Sequence, residues 1–186
     1  MSTTVCPFWV GYLLLNPLRK KLQNPENLLT PYVKPGMTVG DIGSAMGFFS
    51  LPMAEMVGPT GRVVCVDIQE RMLKKLKKRA IKAGVDDVLE YRVCSSTSLH
   101  LETPGRPYDF LLASAVVHEV PDAKALFEES FEVLKPGGRL LLSEPAGHVS
   151  QATFDHEVAA AEACGFHVLS MRPGRRTLGA VFEKAA

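Results

Sequence analysis

Long hydrophobic runs are missing from this 186-residue sequence. The longest apolar stretch near its start, Phe8 to Leu15, is too short to span a bilayer. No positive charge precedes it, so it also lacks the form of a secretory leader. An excess of charge of one sign is missing too. The 21 basic and 20 acidic residues leave a formal net charge of +1, which gives no global field to draw nucleic acid. Cysteine is scarce: four residues, at 6, 65, 94 and 164, form no CxxC motif and no paired Cys/His spacing for zinc. Internal repeats and low-complexity tracts are absent as well. What remains is a balanced composition, 46% hydrophobic and 22% charged, of a length suited to one domain with one large core. A soluble chain with reduced cysteines in the cytoplasm is the expectation.

Strand-like and helix-like segments alternate. Met37 to Ile42 reads as a first strand closed by Gly43, and Phe48 to Val57 as a helix with Pro52 in its first turns. Arg62 to Ile68 is a nearly unbroken apolar run, the mark of a strand buried on both faces. Gln69 to Ala83 reads as a basic amphipathic helix ended by Gly84, its apolar stripe being Met72, Leu73, Leu76 and Ala80. Strands are expected at Val88 to Cys94, Tyr108 to Val116 and Arg139 to Ser143, the last entered by a turn at Lys135-Pro136-Gly137-Gly138. Helices are expected at Asp122 to Leu134, capped by Asp122, and at Ser150 to Cys164. Phe166 to Met171 and Thr177 to Glu183, joined by a short link, should form an antiparallel hairpin at a sheet edge. Such alternation requires right-handed crossovers and a parallel sheet covered on both faces. Residues 1–30 fall outside the pattern and read as an N-terminal cap on a domain of residues 31–186.

The most informative segment is Thr38 to Ser50, where an apolar strand runs into Asp41, then a glycine turn at Gly43 and Gly47, then a helix. In an open parallel sheet, ligands sit beyond the carboxyl ends of the strands. Asp67 ends the second strand, 20 residues after Gly47, where a carboxylate can accept both hydroxyls of a ribose or cap the following helix.

With these motifs the chain resembles the class I S-adenosylmethionine (SAM)-dependent methyltransferases. Segment 38–50 is similar to their first motif, VVCVDI to the second, YDFLLASAVVHEV to the fourth, and LKPGGRLLLSEP to the turn and fifth strand. The motifs keep the family's order and spacing from about residue 30 onward, nearest to small-molecule enzymes of the ubiquinone/menaquinone and arsenite types. The resemblance implies a doubly wound, Rossmann-like α/β fold: seven strands in the order 3-2-1-4-5-7-6, the last antiparallel, with helices on both faces. It implies SAM as cofactor. Asp41 would position the methionine part, and the backbone around Gly43, Ser44 and Gly47 would line the cofactor. Asp67 would hold the ribose, Ile68 would pack beside the adenine, and Ser114 would lie near the sulfonium. Two departures stand out. Ala45 replaces the commonest glycine, and Cys94-Ser95-Ser96 stands where an acidic residue often faces the adenine, leaving Ser95 as a substitute acceptor.

SAM already carries an activated methyl group, so the protein's main task is to align donor and acceptor. A general base is needed only if the acceptor must lose a proton. His118 is the candidate base, with a loop histidine that only packs as the alternative. Glu119 could orient it or touch substrate. Glu144 is a candidate substrate contact, and His148 reads as a surface loop residue. Arsenic would call on Cys94 and Cys6, but a soft thiolate site needs several converging sulfurs. The cap residues Phe8, Trp9 and Tyr12 to Leu15 could close over substrate, pack on the core, or touch a membrane surface with Arg19, Lys20 and Lys21. The short link between the last two strands leaves little room for a substrate domain and favours a small-molecule acceptor. No metal and no nucleic-acid partner is expected; the run Lys74, Lys75, Lys77, Lys78 and Arg79 reads as a solvated face. Two other classes stay open: a non-catalytic SAM-binding or partner-binding module, and a nicotinamide-dependent oxidoreductase, which the missing GxGxxG spacing disfavours.

Overall fold

A computed structural model of the chain describes residues 24–102, 105–172, 174 and 176–185. The cap residues Phe8 to Leu15 and Cys6 lie outside the described residues, as do Pro173 and Arg175 of the last hairpin. A short helix, α1 (Pro25–Leu29), opens the described chain, with the Asn24 side chain accepting from the N–H groups of Glu26 and Asn27. Then follow β1 (Thr38–Ile42), α2 (Ser50–Val57), β2 (Arg62–Asp67), α3 (Glu70–Ala83), β3 (Leu89–Val93), β4 (Tyr108–Ser114), α4 (Ala123–Val133), β5 (Leu134–Pro145), α5 (Gln151–Ala163), β6 (Phe166–Met171) and β7 (Thr177–Lys184). The sheet has seven strands in the order β3-β2-β1-β4-β5-β7-β6, as the resemblance implied. β7 alone runs antiparallel to its neighbours, because its link from β6 is too short for a crossover helix.

The apolar runs are unbroken because successive residues feed two different cores. In β2, Val63 and Cys65 face one cluster with α1, α2 and α3, while Val64 and Val66 face the other with α4 and α5. Leu29 of α1 is fully buried in the first cluster, so packing begins before residue 31. α3 buries Met72, Leu73, Leu76 and Ala80, the stripe expected from its spacing. It stops at Gly84, whose left-handed backbone (φ 72°) lets its N–H reach the carbonyls of Ala80 and Ile81. Asp122 caps α4 by accepting from the Ala125 N–H.

The elements are mostly shorter than read from sequence, by one or two residues at their ends. β6 keeps its expected bounds, β7 runs one residue further, and β5 departs most: it extends from Leu134 to Pro145 and takes in the expected turn as a bulge. Leu134 pairs with Tyr108, but the next described pair is Arg139 with Phe110. Residues 135–138 are looped out, with Gly137 at φ 73° supplying the bend. Beneath it the second core is rich in phenylalanine. The Phe127 ring lies 6.5 Å from that of Phe166 and 6.1 Å from that of Phe182.

Phe127 is fully buried. Phe127→Ala should cost about 3–5 kcal/mol through lost transfer free energy and a residual cavity. A fall in the denaturant midpoint at unchanged slope would show it; a loss below about 1 kcal/mol would mean that the cluster repacks.

Candidate functional site

β1, β2, β4 and the last turn of β5 end on the same edge of the sheet, and a cleft of about 640 Å³ opens there. That volume falls within the range of small-molecule sites. One side of the cleft is the loop from β1 to α2. The N–H groups of Gly43 and Ser44 both donate to the Val66 carbonyl, and the Ala45 N–H donates to Asp67 Oδ2 at 2.9 Å. The other carboxylate oxygen of Asp67 accepts from the Gln69 N–H at 2.7 Å. The Asp67 carboxylate therefore ties the residue that precedes α3 to the glycine turn, although it forms no cap bond to the helix itself. Each oxygen keeps a second lone pair for a ligand hydroxyl. Burial raises the Asp67 pKa against the opposing pull of the two N–H donors.

The loop geometry explains its small residues. A Cβ on Gly43 would stand 2.8 Å from Val116 Cγ2, and one on Gly47 2.1 Å from Leu76 Cδ1. Ala45 has φ 45°, a left-handed conformation that costs a non-glycine residue about 1–2 kcal/mol. The methyl of Ala45 is tolerated, but at the expense of strain that the Asp67 hydrogen bond helps hold. Asp41, nearly buried, accepts a 2.5 Å hydrogen bond from the Ser50 hydroxyl and so fixes the end of β1 to the start of α2.

The other side of the cleft carries titratable groups. Glu144, at the end of β5, is fully buried. Its Oε1 accepts from the Val117 N–H at 2.9 Å, and its Oε2 lies 2.6 Å from His118 Nδ1. An ionised carboxylate can only accept, so Nδ1 carries the proton and Nε2 of the neutral ring is left as the basic atom. The Glu144 hydrogen bond raises the His118 pKa above its ordinary value, against the opposing effect of burial. Glu119 Oε1 is 3.9 Å from His118 Nε2, and the ring of His148 packs edge-on at 5.0 Å between centroids.

Most of the expected site residues meet here. Asp41, Gly43, Ser44, Asp67, Ile68, Ser95, Ser114, His118 and Glu119 all line the cleft. Gly47 does not; its missing side chain serves the packing of the loop on α3 instead. The Ser95 hydroxyl accepts from the N–H groups of Thr97 and Ser98, so it builds the turn that forms part of the wall. Glu144, a candidate substrate contact, is not part of the cleft lining: it is fully buried and paired with His118. Orienting His118 thus falls to Glu144 rather than Glu119. His148 is an exposed turn residue, as read from the sequence, and it also lines the cleft. Cys94 borders the cleft, but burial raises its pKa to about 11, which keeps the thiol protonated near neutrality. Among the described residues no group of three or more His, Cys, Asp or Glu is placed to hold a metal ion.

One residue near the site was missed entirely. Glu157 lies on the buried stripe of α5 with Phe154 and Ala161, and neither of its carboxylate oxygens has a hydrogen-bond partner. Burial, reinforced by the nearby Glu144 charge, raises its pKa to about 7. The signal was present in the sequence as a glutamate at a helical spacing that otherwise holds Phe and Ala.

The cleft also fits an adenosyl group. The Ser44 hydroxyl is buried without a partner, an unmet polar atom inside the turn beside Asp67. Comparison with known proteins decides the family. A model described as "Methyltransferase domain" matches residues 33–185. The chain belongs to the class I SAM-dependent methyltransferase family. The chain is 34% identical over 137 residues to the ubiquinone/menaquinone biosynthesis C-methyltransferase UbiE of Enterobacter sp. (strain 638). It is 33% identical over 110 residues to the arsenite methyltransferase of Halobacterium salinarum. The matches cover 74% and 59% of this chain but only 52% and 27% of those relatives, so the chain spans about half of the one and a quarter of the other. A crystal structure of a SAM-dependent methyltransferase from Aquifex aeolicus superimposes with a TM-score of 0.84 at 24% identity, over 97% of this chain and 100% of that one, which shows the shared fold. S-adenosylmethionine is the methyl donor of the family. The nicotinamide alternative falls with this membership. Among the described residues no helix is long and apolar enough to cross a membrane.

Glu157 supplies a pH signature. Its folded pKa of about 7 exceeds the ordinary 4.5, so the native state binds a proton that the unfolded state releases. Stability should therefore fall as pH rises from 4.5 to about 7. Glu157→Gln removes that titration. The stability of the variant relative to the parent should rise across this window and level off above it, as read by denaturant unfolding at pH 5, 7 and 8. A difference that does not vary with pH would show that Glu157 does not titrate there.

Proposed function

We propose that the methyltransferase moves the methyl group of S-adenosylmethionine to a small-molecule acceptor held in the cleft, with His118 as general base. The observation that carries this reading is the hydrogen bond from His118 Nδ1 to the buried Glu144. It leaves Nε2 as the ring's basic atom, in a cleft whose other side is the Asp67-held loop. Bound SAM supplies an activated methyl group on a sulfonium. The residues of the chain bind, orient and remove a proton.

Asp67 accepts the ribose hydroxyls with lone pairs left over from its two backbone bonds. Ile68, exposed in the cleft wall, covers one face of the adenine. The Ser44 hydroxyl and the backbone of Gly43 take the polar groups of the methionine part, with Asp41 below them. Ser114, ending β4, stands near the reacting centre, and the Ser95 turn closes the adenine side. Holding donor and acceptor in line can account for about 7–11 kcal/mol of the barrier. His118 then takes the acceptor's proton on Nε2, and Glu144 holds the resulting imidazolium. The balanced net charge supports a small molecule over a nucleic acid as acceptor.

Calorimetry and kinetics test this reading. Asp67→Ala should weaken S-adenosylhomocysteine binding more than tenfold; an unchanged affinity removes Asp67 from the site. His118→Ala should lower kcat by about 10²–10⁴ while cofactor affinity stays nearly constant. In Glu144→Gln the acid limb of the pH–rate profile should move to lower pH, because the anion that raises His118 is gone. A full rate in His118→Ala would leave a site that binds cofactor without base catalysis.

A further inference from the structure

The charged side chains in the described lining of the cleft have one sign. Its described wall contains the carboxylates of Asp41, Asp67, Glu119, Asp122 and Glu129, and neither a lysine nor an arginine. Two further carboxylates are buried close by, Glu144 in contact with His118, and Glu157 near enough to act on both. Part of this charge is used by the fold. Asp67 holds two backbone N–H groups, Asp122 caps α4, and the two oxygens of Glu129 accept from the N–H groups of Leu99 and Leu101. These neutral donors solvate the carboxylates but cancel no net charge. In the half of the cleft around His118, that imidazole and the ring of His148 are the only groups able to become cationic among the described residues.

The consequence is selection by charge. A carboxylate or phosphate entering this half would lose its water beside carboxylates, with no lysine or arginine among the described lining residues to pair with. An ammonium would be drawn in, since two carboxylates flank the His118 ring: Glu119 at 3.9 Å from Nε2 and Glu144 at Nδ1. The remaining wall is apolar, formed by Val116, Val120, Leu126 and Pro145 among others. We propose that the methyl acceptor is a small amine carried on an apolar body, bound as its ammonium ion beside His118 and methylated at nitrogen. The proposal rests on the methyl-transfer reading above.

The step balances as follows. One ammonium N–H proton passes to His118 Nε2, giving an imidazolium neutralised by Glu144. The freed nitrogen lone pair forms the N–CH₃ bond while the S–CH₃ bond breaks, and that electron pair stays on sulfur. The product leaves as a methylated ammonium ion together with S-adenosylhomocysteine. The imidazolium returns its proton to solvent.

The test uses the full chain loaded with S-adenosylhomocysteine and three probes on one apolar body: phenethylamine, 2-phenylethanol and 3-phenylpropionate. Calorimetry should give the amine at least tenfold tighter binding than the alcohol, with no detectable binding of the carboxylate. Glu119→Lys should reverse the order of amine and carboxylate. With SAM in place of the product, mass spectrometry should find the added methyl on the amine nitrogen. Equal binding of amine and alcohol, tighter binding of the carboxylate, or no binding of any probe to the loaded protein would overturn the proposal. Failure of S-adenosylhomocysteine itself to bind is a separate result and would sink the methyl-transfer reading instead.

Discussion

The Asp67 carboxylate and the Val66 carbonyl next to it bind the turn after β1 to the end of β2. Three successive N–H groups, those of Gly43, Ser44 and Ala45, point at this strand end rather than at water. The turn cannot open without losing all three, and a buried polar group left unmatched costs about 1–3 kcal/mol. The glycine turn, the left-handed Ala45 and the entry to α3 are held together by this one contact. Because α3 is anchored there through Gln69, its buried stripe is also set in register over β2.

The opposite side of the cleft depends on a second carboxylate, and the two have different surroundings. Asp67 lies at the cleft with backbone donors on both oxygens, so it holds its place and still presents lone pairs to a ligand. Glu144 is fully enclosed and spends its oxygens on the Val117 N–H and the His118 ring. Enclosure strengthens the pair, because the low dielectric weakens competition from water. The same enclosure makes Glu157 unusual: a carboxyl with no partner on a core stripe is expensive as an anion and acceptable as a neutral acid. Its raised pKa is the direct result. The acid-rich cleft and the oriented imidazole thus arise from one arrangement at the ends of β4 and β5.

The strand–helix alternation and the two-sided cores were legible because they are written in short segments, while the sheet order and the cofactor residues came from the family resemblance. Unbroken apolar runs such as Val63 to Val66 require cover on both faces, and the Met72, Leu73, Leu76 and Ala80 stripe requires a helix lying on a sheet. Asp41, Gly43, Ser44 and Asp67 stand at strand ends and turns, where local chemistry fixes their direction. Gly47 stands outside the cleft lining, and a glycine needed for packing on Leu76 looks, in sequence, like one needed by a ligand.

The amino-acid order by itself determined the class of fold, the family and the candidate base. The fold class follows from periodicities that backbone geometry converts into structure, the family from several motifs kept in order along the chain, and the candidate base from its place after the fourth strand. Only the tertiary structure decided which carboxylate serves His118. Glu119 is adjacent in the chain but sits at 3.9 Å from Nε2, while Glu144, 26 positions away, reaches Nδ1 at 2.6 Å. That choice depends on the parallel pairing of β4 with β5, which brings Ser114 opposite Ser143 and so sets the His118 loop over Glu144. Burial follows the same rule. Whether a glutamate meets water or the core is settled by what packs against it, and for Glu157 that is a sheet assembled from distant segments.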